Sequence, residues 1–339
     1  MVANKIGKHT VKFNNKPEIL GTGSVVGVKE GEGPLGKRFD VVLEDDTFNE
    51  KTWEKAEIKM LSESILLSMK KAGKTEKEID AIISGDLLNQ LMSASFTARD
   101  FDVPFIGIYG ACSTMTESMI LGSVLVDGGY AENVVSAASS HFCTSERQFR
   151  NPLEHGNQRP PAAQWTATAS GSVVIGITNK PNIVLTYATL GKVVDPGITD
   201  AHQMGAAMAP AALDTIHTHL LDTNREPAYY DLIITGDLGH IGKDILLDMS
   251  KNRGIDLEKV HMDCGVILYD EDQDTHSGGS GCGCSASVFA GHIYREILEG
   301  KLKKVLLVST GALLSTTSTM QGDSIPGIAH AIAIEVEDS

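Results

Sequence analysis

The sequence predicts an α/β fold written twice from one pattern, and three observations carry that expectation. The run IDAIISGDL at 79–87 returns as YDLIITGDL at 230–238. The run ACSTMTESMILGSVLVDGGYAENVVSAAS at 111–139 returns, with a one-residue gap, as GCSASVFAGHIYREILEGKLKKVLLVSTG at 283–311. Around these runs, short apolar β-forming segments alternate with longer segments of helical periodicity. A spacing of about 150 residues is too long for a solenoid repeat and fits two doubly wound halves packed together. Lys180-Pro181-Asn182 is the expected boundary, dividing the chain into residues 1–180 and 181–339.

Taken in order, residues 1–50 read as short β-like pieces between Gly and Pro turns. Gly21-Thr22-Gly23 is not followed by the further glycine of a dinucleotide fingerprint, so no such site is expected. Residues 51–72 predict an amphipathic helix, with Trp53, Ala56, Ile58, Leu61, Ile65, Leu66 and Met69 on one face and Gly73 as its stop. Thr75 and Glu78 form a capping-box pair. Residues 79–84 predict a strand, followed by a helix to about Asp100. Residues 105–109 predict a short buried strand, and a helix then runs to Asp127. Residues 133–138 predict another strand, leading into the polar loop CTSERQFRNPLEHGNQRPP, and 164–177 a strand closing the first half.

The second half opens with an expected strand over 183–195 and a loop of small residues over 197–212. A helix is expected from about Pro210 to Leu221, a strand over 230–235 and a helix over 243–251. The Gly-rich turn 275–280 precedes a long helical pattern over 282–299. A strand over 304–309, a hydroxyl-rich loop over 311–325 and a last strand over 330–336 complete the reading.

Composition narrows the function classes. The 339 residues carry a formal charge of -15, with 42% hydrophobic and 22% charged residues. This is an ordinary globular composition, large enough for a substantial core. There is no basic stripe of the kind nucleic-acid binders show. The five cysteines form no disulfide framework and point to a reducing compartment. Cys282-Gly283-Cys284 is a single CxC without a second pair, a weak zinc signal, and no metal site is expected from it. The N-terminal residues show no signal-peptide h-region, and no run of 18 apolar residues predicts a membrane span.

The stretch with the most chemistry is Pro104–Leu125. Cys112 falls where a strand hands over to a helix, with Ser113 or Thr114 as cap and Glu117 in the first turn. Backbone N–H groups and the helix dipole favour negative charge there, either a thiolate nucleophile or an anionic ligand. The plainer reading of Cys112 is a small buried core residue.

The duplication, with GACST at 110–114 at the head of a buried helix, resembles the thiolase superfamily of thiolases and β-ketoacyl synthases. More closely, the whole chain resembles the stage V sporulation protein AD family. The blocks that carry this are GPLG at 33–36, SGDLLNQ at 84–90, YGACST at 109–114, SERQFR at 145–150, GITD at 197–200, MGAAMAPAA at 204–212, GGSGCGCSA at 278–286 and TGALLS at 310–315. The resemblance implies a thiolase-like fold: two pseudo-repeated α/β halves with mixed central sheets sandwiching buried helices. It further implies a non-catalytic component that binds dipicolinic acid (pyridine-2,6-dicarboxylate), alone or as its calcium chelate. Such a component works beside the membrane proteins of its operon, peripherally at the forespore inner membrane. No cofactor is implied, with calcium entering only as part of the ligand. A homodimer is expected by analogy with the superfamily.

The alternative is a ketoacyl-synthase-like acyltransferase with Cys112 as nucleophile. Synthases pair that cysteine with His and Asn, whereas Gly236-Asp237 and about Cys282 stand where those residues are expected. Without an imidazole, condensation loses its general acid/base; His141 and His240 lie near enough in sequence to substitute. As a binding site, the expected set is Asp86, Cys112, Ser113, Ser140, His141, Asp237, Ser280 and Cys282. Asp86 and Asp237 read equally as helix caps or as partners of a ligand-borne calcium. Arg147 and Arg150 read either as a carboxylate clamp or as surface ion-pair residues.

Overall fold

The computed structural model describes residues 4–149, 159–180 and 182–337. Its sheet shows the duplication directly. The first half orders its strands Glu18–Val26, Ala169–Gly176, Asn133–Ser140, Ala81–Gly85, Phe105–Gly107. The second orders Ile183–Thr189, Gly327–Val336, Lys304–Ala312, Leu232–Thr235, His261–Asp263. In each half neighbouring strands are antiparallel across the first three and parallel across the last three. The halves meet edge to edge where Val184 pairs with Glu18.

Helices cover both faces of each half, and the period-two alternation of side chains shows how. Ser170 and Ser172 bond Ser64 of the helix Trp53–Lys71, while Gly171 between them meets the backbone of Ala286 on the opposite face. In the second half, Val305 and Leu307 pack in the central core with Met115 and Met119, whereas Leu306 and Val308 pack with Met208 and Leu213 of the helix Met204–Thr223. The helix Thr114–Asp127 and the helical run that begins at Cys282 therefore lie between the two half-sheets, each touching strands of both. Among the described residues no helix is long and apolar enough to cross a membrane.

Several elements differ from the sequence reading. The strand Glu18–Val26 is one continuous nine-residue element rather than scattered pieces. Its glycines allow close approach: a Cβ at Gly23 would sit 2.0 Å from the carbonyl oxygen of Ser64. The helix expected from Pro210 begins at Met204 and carries Pro210 inside it. The small residues that read as a loop serve helix packing, since a Cβ at Gly205 would lie 2.4 Å from the Leu238 carbonyl oxygen. The strand expected over 183–195 ends at Thr189. The polar loop after Ser140 opens with a helix, Phe142–Phe149, whose buried side holds Thr144, Ser145 and Glu146. A polar inner face defeats a hydrophobic-period reading.

Candidate functional site

Cys112 sits at a tight corner. The strand Phe105–Gly107 leads to Ala111, whose φ of 50° is left-handed, and the helix begins at Thr114. A left-handed non-glycine residue costs of order 1–3 kcal/mol and persists only where its surroundings hold it. Here Ser113 Oγ donates to the Gly110 carbonyl at 2.7 Å and Thr114 Oγ1 to that of Ala111 at 2.7 Å. Neither hydroxyl caps the helix in the expected sense; both tie the turn to itself. The second half closes on the same turn through Gly311, where a Cβ would stand 2.5 Å from the Gly110 carbonyl oxygen.

A small cleft opens over Cys112. Leu87, Tyr109 and Phe149 of the first half and Met204 and Leu314 of the second form its walls, and Ser145, Thr166 and Ser280 bring hydroxyls to it. No basic side chain and no histidine lines it among the described residues.

Asp237 follows the strand Leu232–Thr235 and reaches across to the first-half cysteine. Its Oδ1 accepts from Thr310 Oγ1 at 2.7 Å, and its Oδ2 from Gly281 N–H at 3.0 Å and Ser280 Oγ at 3.2 Å. The Cys112 thiol stands beside this carboxylate and favours its charged form. Burial pushes the Asp237 carboxyl above the usual range, and its donors pull it back. Gly281 adopts a φ of 98°, a left-handed backbone that favours glycine and aims its N–H at Asp237. A carboxylate beside a thiol opposes the second negative charge a thiolate would bring. This is the reverse of an imidazole partner, which takes the proton and leaves a favourable ion pair.

Of the sequence-predicted residues, Cys112, Asp237 and Ser280 come together at the cleft, with Ser113 behind the turn. Asp86 is buried beneath, its two oxygens accepting from Leu88 N–H and Ala94 N–H, both at 2.7 Å. Burial raises its carboxyl to about 6. Burial and the Asp86 charge raise the neighbouring Glu57 to about 8. Ser140 Oγ donates to the Ala167 carbonyl at 2.7 Å and accepts from Gly283 N–H at 3.1 Å.

His141 is fully used elsewhere. Its Nε2 is 2.8 Å from the Asp46 carbonyl and its Nδ1 accepts from Cys143 N–H at 3.2 Å, which assigns a neutral ring with the proton on Nε2. Burial lowers its pKa further. His240 is exposed on the helix Gly239–Asn252. Cys282 is fully buried and donates to the Ser139 carbonyl at 2.9 Å, while burial pushes its thiol well up. Arg147 pairs with Glu54 and stacks over Trp53 on the outer surface. Arg150 lies outside the described residues.

Sequence reasoning missed Tyr109, Ser145, Met204 and Thr310. Phe142 and Phe149, seven apart, were the available sign of the helix that carries Ser145. The threonine after KVLLVS is visible in sequence, but its reach to Asp237 depends on the parallel pairing of Leu232–Thr235 with Lys304–Ala312.

Comparison with known proteins places this geometry. Residues 7–335 match the sequence profile of the family described as stage V sporulation protein AD. Stage V sporulation protein AD of Bacillus subtilis (strain 168) is 46% identical over 329 residues, covering 97% of each chain. Among solved structures, 3-oxoacyl-[acyl-carrier-protein] synthase III from Aquifex aeolicus superposes with a TM-score of 0.57 at 14% identity, covering 94% of this chain and 99% of that one. OleA from Xanthomonas campestris, in a variant form, gives a TM-score of 0.62 at 12% identity, covering 96% and 99%. At such identities the likeness speaks for the fold alone, which is thiolase-like.

Proposed function

The chain belongs to the stage V sporulation protein AD family, and on that premise we propose that it binds dipicolinic acid as a non-catalytic component of the machinery that loads the developing spore. The observation that carries the non-catalytic part is the thiol's partner. The Asp237 carboxylate stands beside the Cys112 thiol, and among the described residues the lining of the cleft offers no imidazole to take its proton or polarise a thioester.

The cleft also favours one form of the ligand. Its walls are apolar, with the aromatic rings of Tyr109 and Phe149, and suit a flat heteroaromatic ring. The buried carboxyls of Asp237, bonded to the lining residue Ser280, and of Asp86 lie behind that lining, so a free dianion meets opposing charge. Calcium cancels the ligand's charge, and the chelate is the form this surface accepts best.

The reading extends to partners. The edge strand Phe105–Gly107 is paired on one side only and leaves Ile106 43% exposed, next to the half-exposed Phe96 and Tyr109. An apolar strand edge of this kind is protected in solution by pairing, and a homodimer across it is the proposed state. Docking on the membrane proteins of the same operon places the protein peripherally at the forespore inner membrane.

Isothermal titration of the full chain with dipicolinate, with and without calcium, tests the binding. Saturable heat at roughly millimolar ligand or below is expected, stronger with calcium. Absence of heat with both forms rejects the reading. Mass spectrometry after incubation with acyl-CoA is expected to leave Cys112 unmodified; an acyl adduct there would replace binding with acyl transfer.

A further inference from the structure

Most buried hydroxyls around this site are spent. Thr166 Oγ1 donates to Glu146 at 2.9 Å and Ser280 Oγ to Asp237 at 3.2 Å. Several buried helical serines elsewhere return their hydroxyls to the preceding turn, as Ser64, Ser68, Ser118, Ser123 and Ser287 do, while Ser93, away from the lining of the cleft, does not. Ser145 does neither. It lines the cleft, is 2% exposed, and its Oγ has no hydrogen-bond partner.

The helix that carries it is held in rotation at two points, its first residue and its middle. Phe142 stacks on Trp165 with ring centres 3.8 Å apart and planes at 11°, and Glu146 receives the Thr166 hydroxyl. Ser145 therefore meets the cleft by construction. One turn on, Gln148 Nε2 is a second buried donor without a partner, on the same side of the helix. A buried donor left unmet is unfavourable in the empty protein and is relieved when a ligand brings an acceptor.

We propose that Ser145 is the specificity-determining residue of the cleft, its hydroxyl donating to a carboxylate oxygen of a bound planar dicarboxylate. This rests on the binding reading given above. It assigns recognition of the second carboxylate to neutral donors on the helix Phe142–Phe149 rather than to a basic clamp. A neutral donor is the partner suited to a carboxylate whose charge a bound calcium already offsets.

The test is titration of the full-length wild type and Ser145→Ala with pyridine-2,6-dicarboxylate and with pyridine-2-carboxylate, each with calcium present. Wild type is expected to prefer the dicarboxylate, and Ser145→Ala to lose about tenfold in affinity for it while leaving the monocarboxylate unchanged. The preference then collapses. Thermal melting of the ligand-free variant is expected to match wild type, because the lost hydroxyl has no partner in the folded protein. Equal dicarboxylate affinity in both proteins overturns the role of Ser145 and leaves the binding reading intact. A lowered melting point without ligand shows a structural partner and overturns it too. A wild type that binds neither compound removes the binding reading, and this inference with it.

Discussion

The two Gly-Asp-Leu turns are copies in sequence and different in duty. In the first half, Asp86 stays local: both oxygens accept backbone N–H groups of its own loop and of the helix Met92–Ala98. In the second half that local work belongs to Asp263. It accepts from Leu238 N–H at 2.9 Å, Gly239 N–H at 3.0 Å, Val266 N–H at 3.2 Å and Thr235 Oγ1 at 2.7 Å. Asp237 is thereby free to cross to the first-half cysteine. The two Cys-Ser corners diverge in the same way. Cys112 lines the cleft, whereas Cys284 is fully buried with its sulfur 3.7 Å from the Gly236 carbonyl oxygen. Duplication supplied two equal corners, and one extra carboxylate in the second half let a single composite site form between them.

The sharpest way to break this comparison is to replace each aspartate by its amide. Both oxygens of Asp86 and both of Asp263 face backbone N–H groups, which cannot reverse, so an amide nitrogen there confronts a donor. At Asp237 the Oδ1 partner is the Thr310 hydroxyl, which can turn and accept. Asp263→Asn is expected to cost about 3 kcal/mol, Asp86→Asn about 2, and Asp237→Asn under about 1, read by urea unfolding at pH 8. An Asp237→Asn protein as unstable as Asp263→Asn would show that the two residues share one structural role.

A second contrast concerns protons. Burial raises Glu57 to about 8, Asp263 to about 7 and Glu30 to about 7. The unfolded chain titrates these carboxyls near 4. Between those values the folded state holds protons that the unfolded state has released, so stability is full below about pH 4 and is lost as pH rises toward 8. Glu57 accepts only from hydroxyls, Ser139 at 3.0 Å and Thr144 at 2.9 Å, and its amide is accommodated. Glu57→Gln is expected to remove about 2 kcal/mol of the wild-type loss between pH 6 and 8. Equal pH slopes for wild type and variant would place the proton elsewhere.

The fold was legible because its signals are local and doubled. The Gly-Asp-Leu strands and Cys-Ser helices appear twice in one order, and the sheet repeats that order strand for strand. The candidate site was legible at Cys112 and Asp237, which belong to those runs, and at Ser280 in the Gly-rich turn before the second Cys-Ser helix. It was illegible where a residue's meaning comes from what crosses to it. Asp86 and Asp237 look alike in sequence, and only the presence of Asp263 twenty-six residues beyond Asp237 separates them. Ser145 lies on a helix whose inner face is polar, and polar inner faces carry no hydrophobic period. Met204 hides among small residues that pack a helix against the helix Gly239–Asn252.

The finest test of the contrast is the reactivity of the two thiols. In wild type the Asp237 carboxylate stands beside Cys112 and opposes a thiolate there. Asp237→Asn removes that opposing charge while keeping the size of the side chain. Alkylation of Cys112 by iodoacetamide at pH 8, followed by peptide mass spectrometry, is expected to quicken about tenfold, equivalent to about 1.4 kcal/mol. Cys284, its repeat counterpart, is fully buried and raised well above the ordinary thiol range, and stays unmodified in both proteins. A Cys112 that reacts equally fast in wild type and variant would mean that the carboxylate does not restrain the thiol. A quicker Cys112 at unchanged melting temperature would instead trace the restraint on this thiol to one negative charge, supplied from the other half of the same chain.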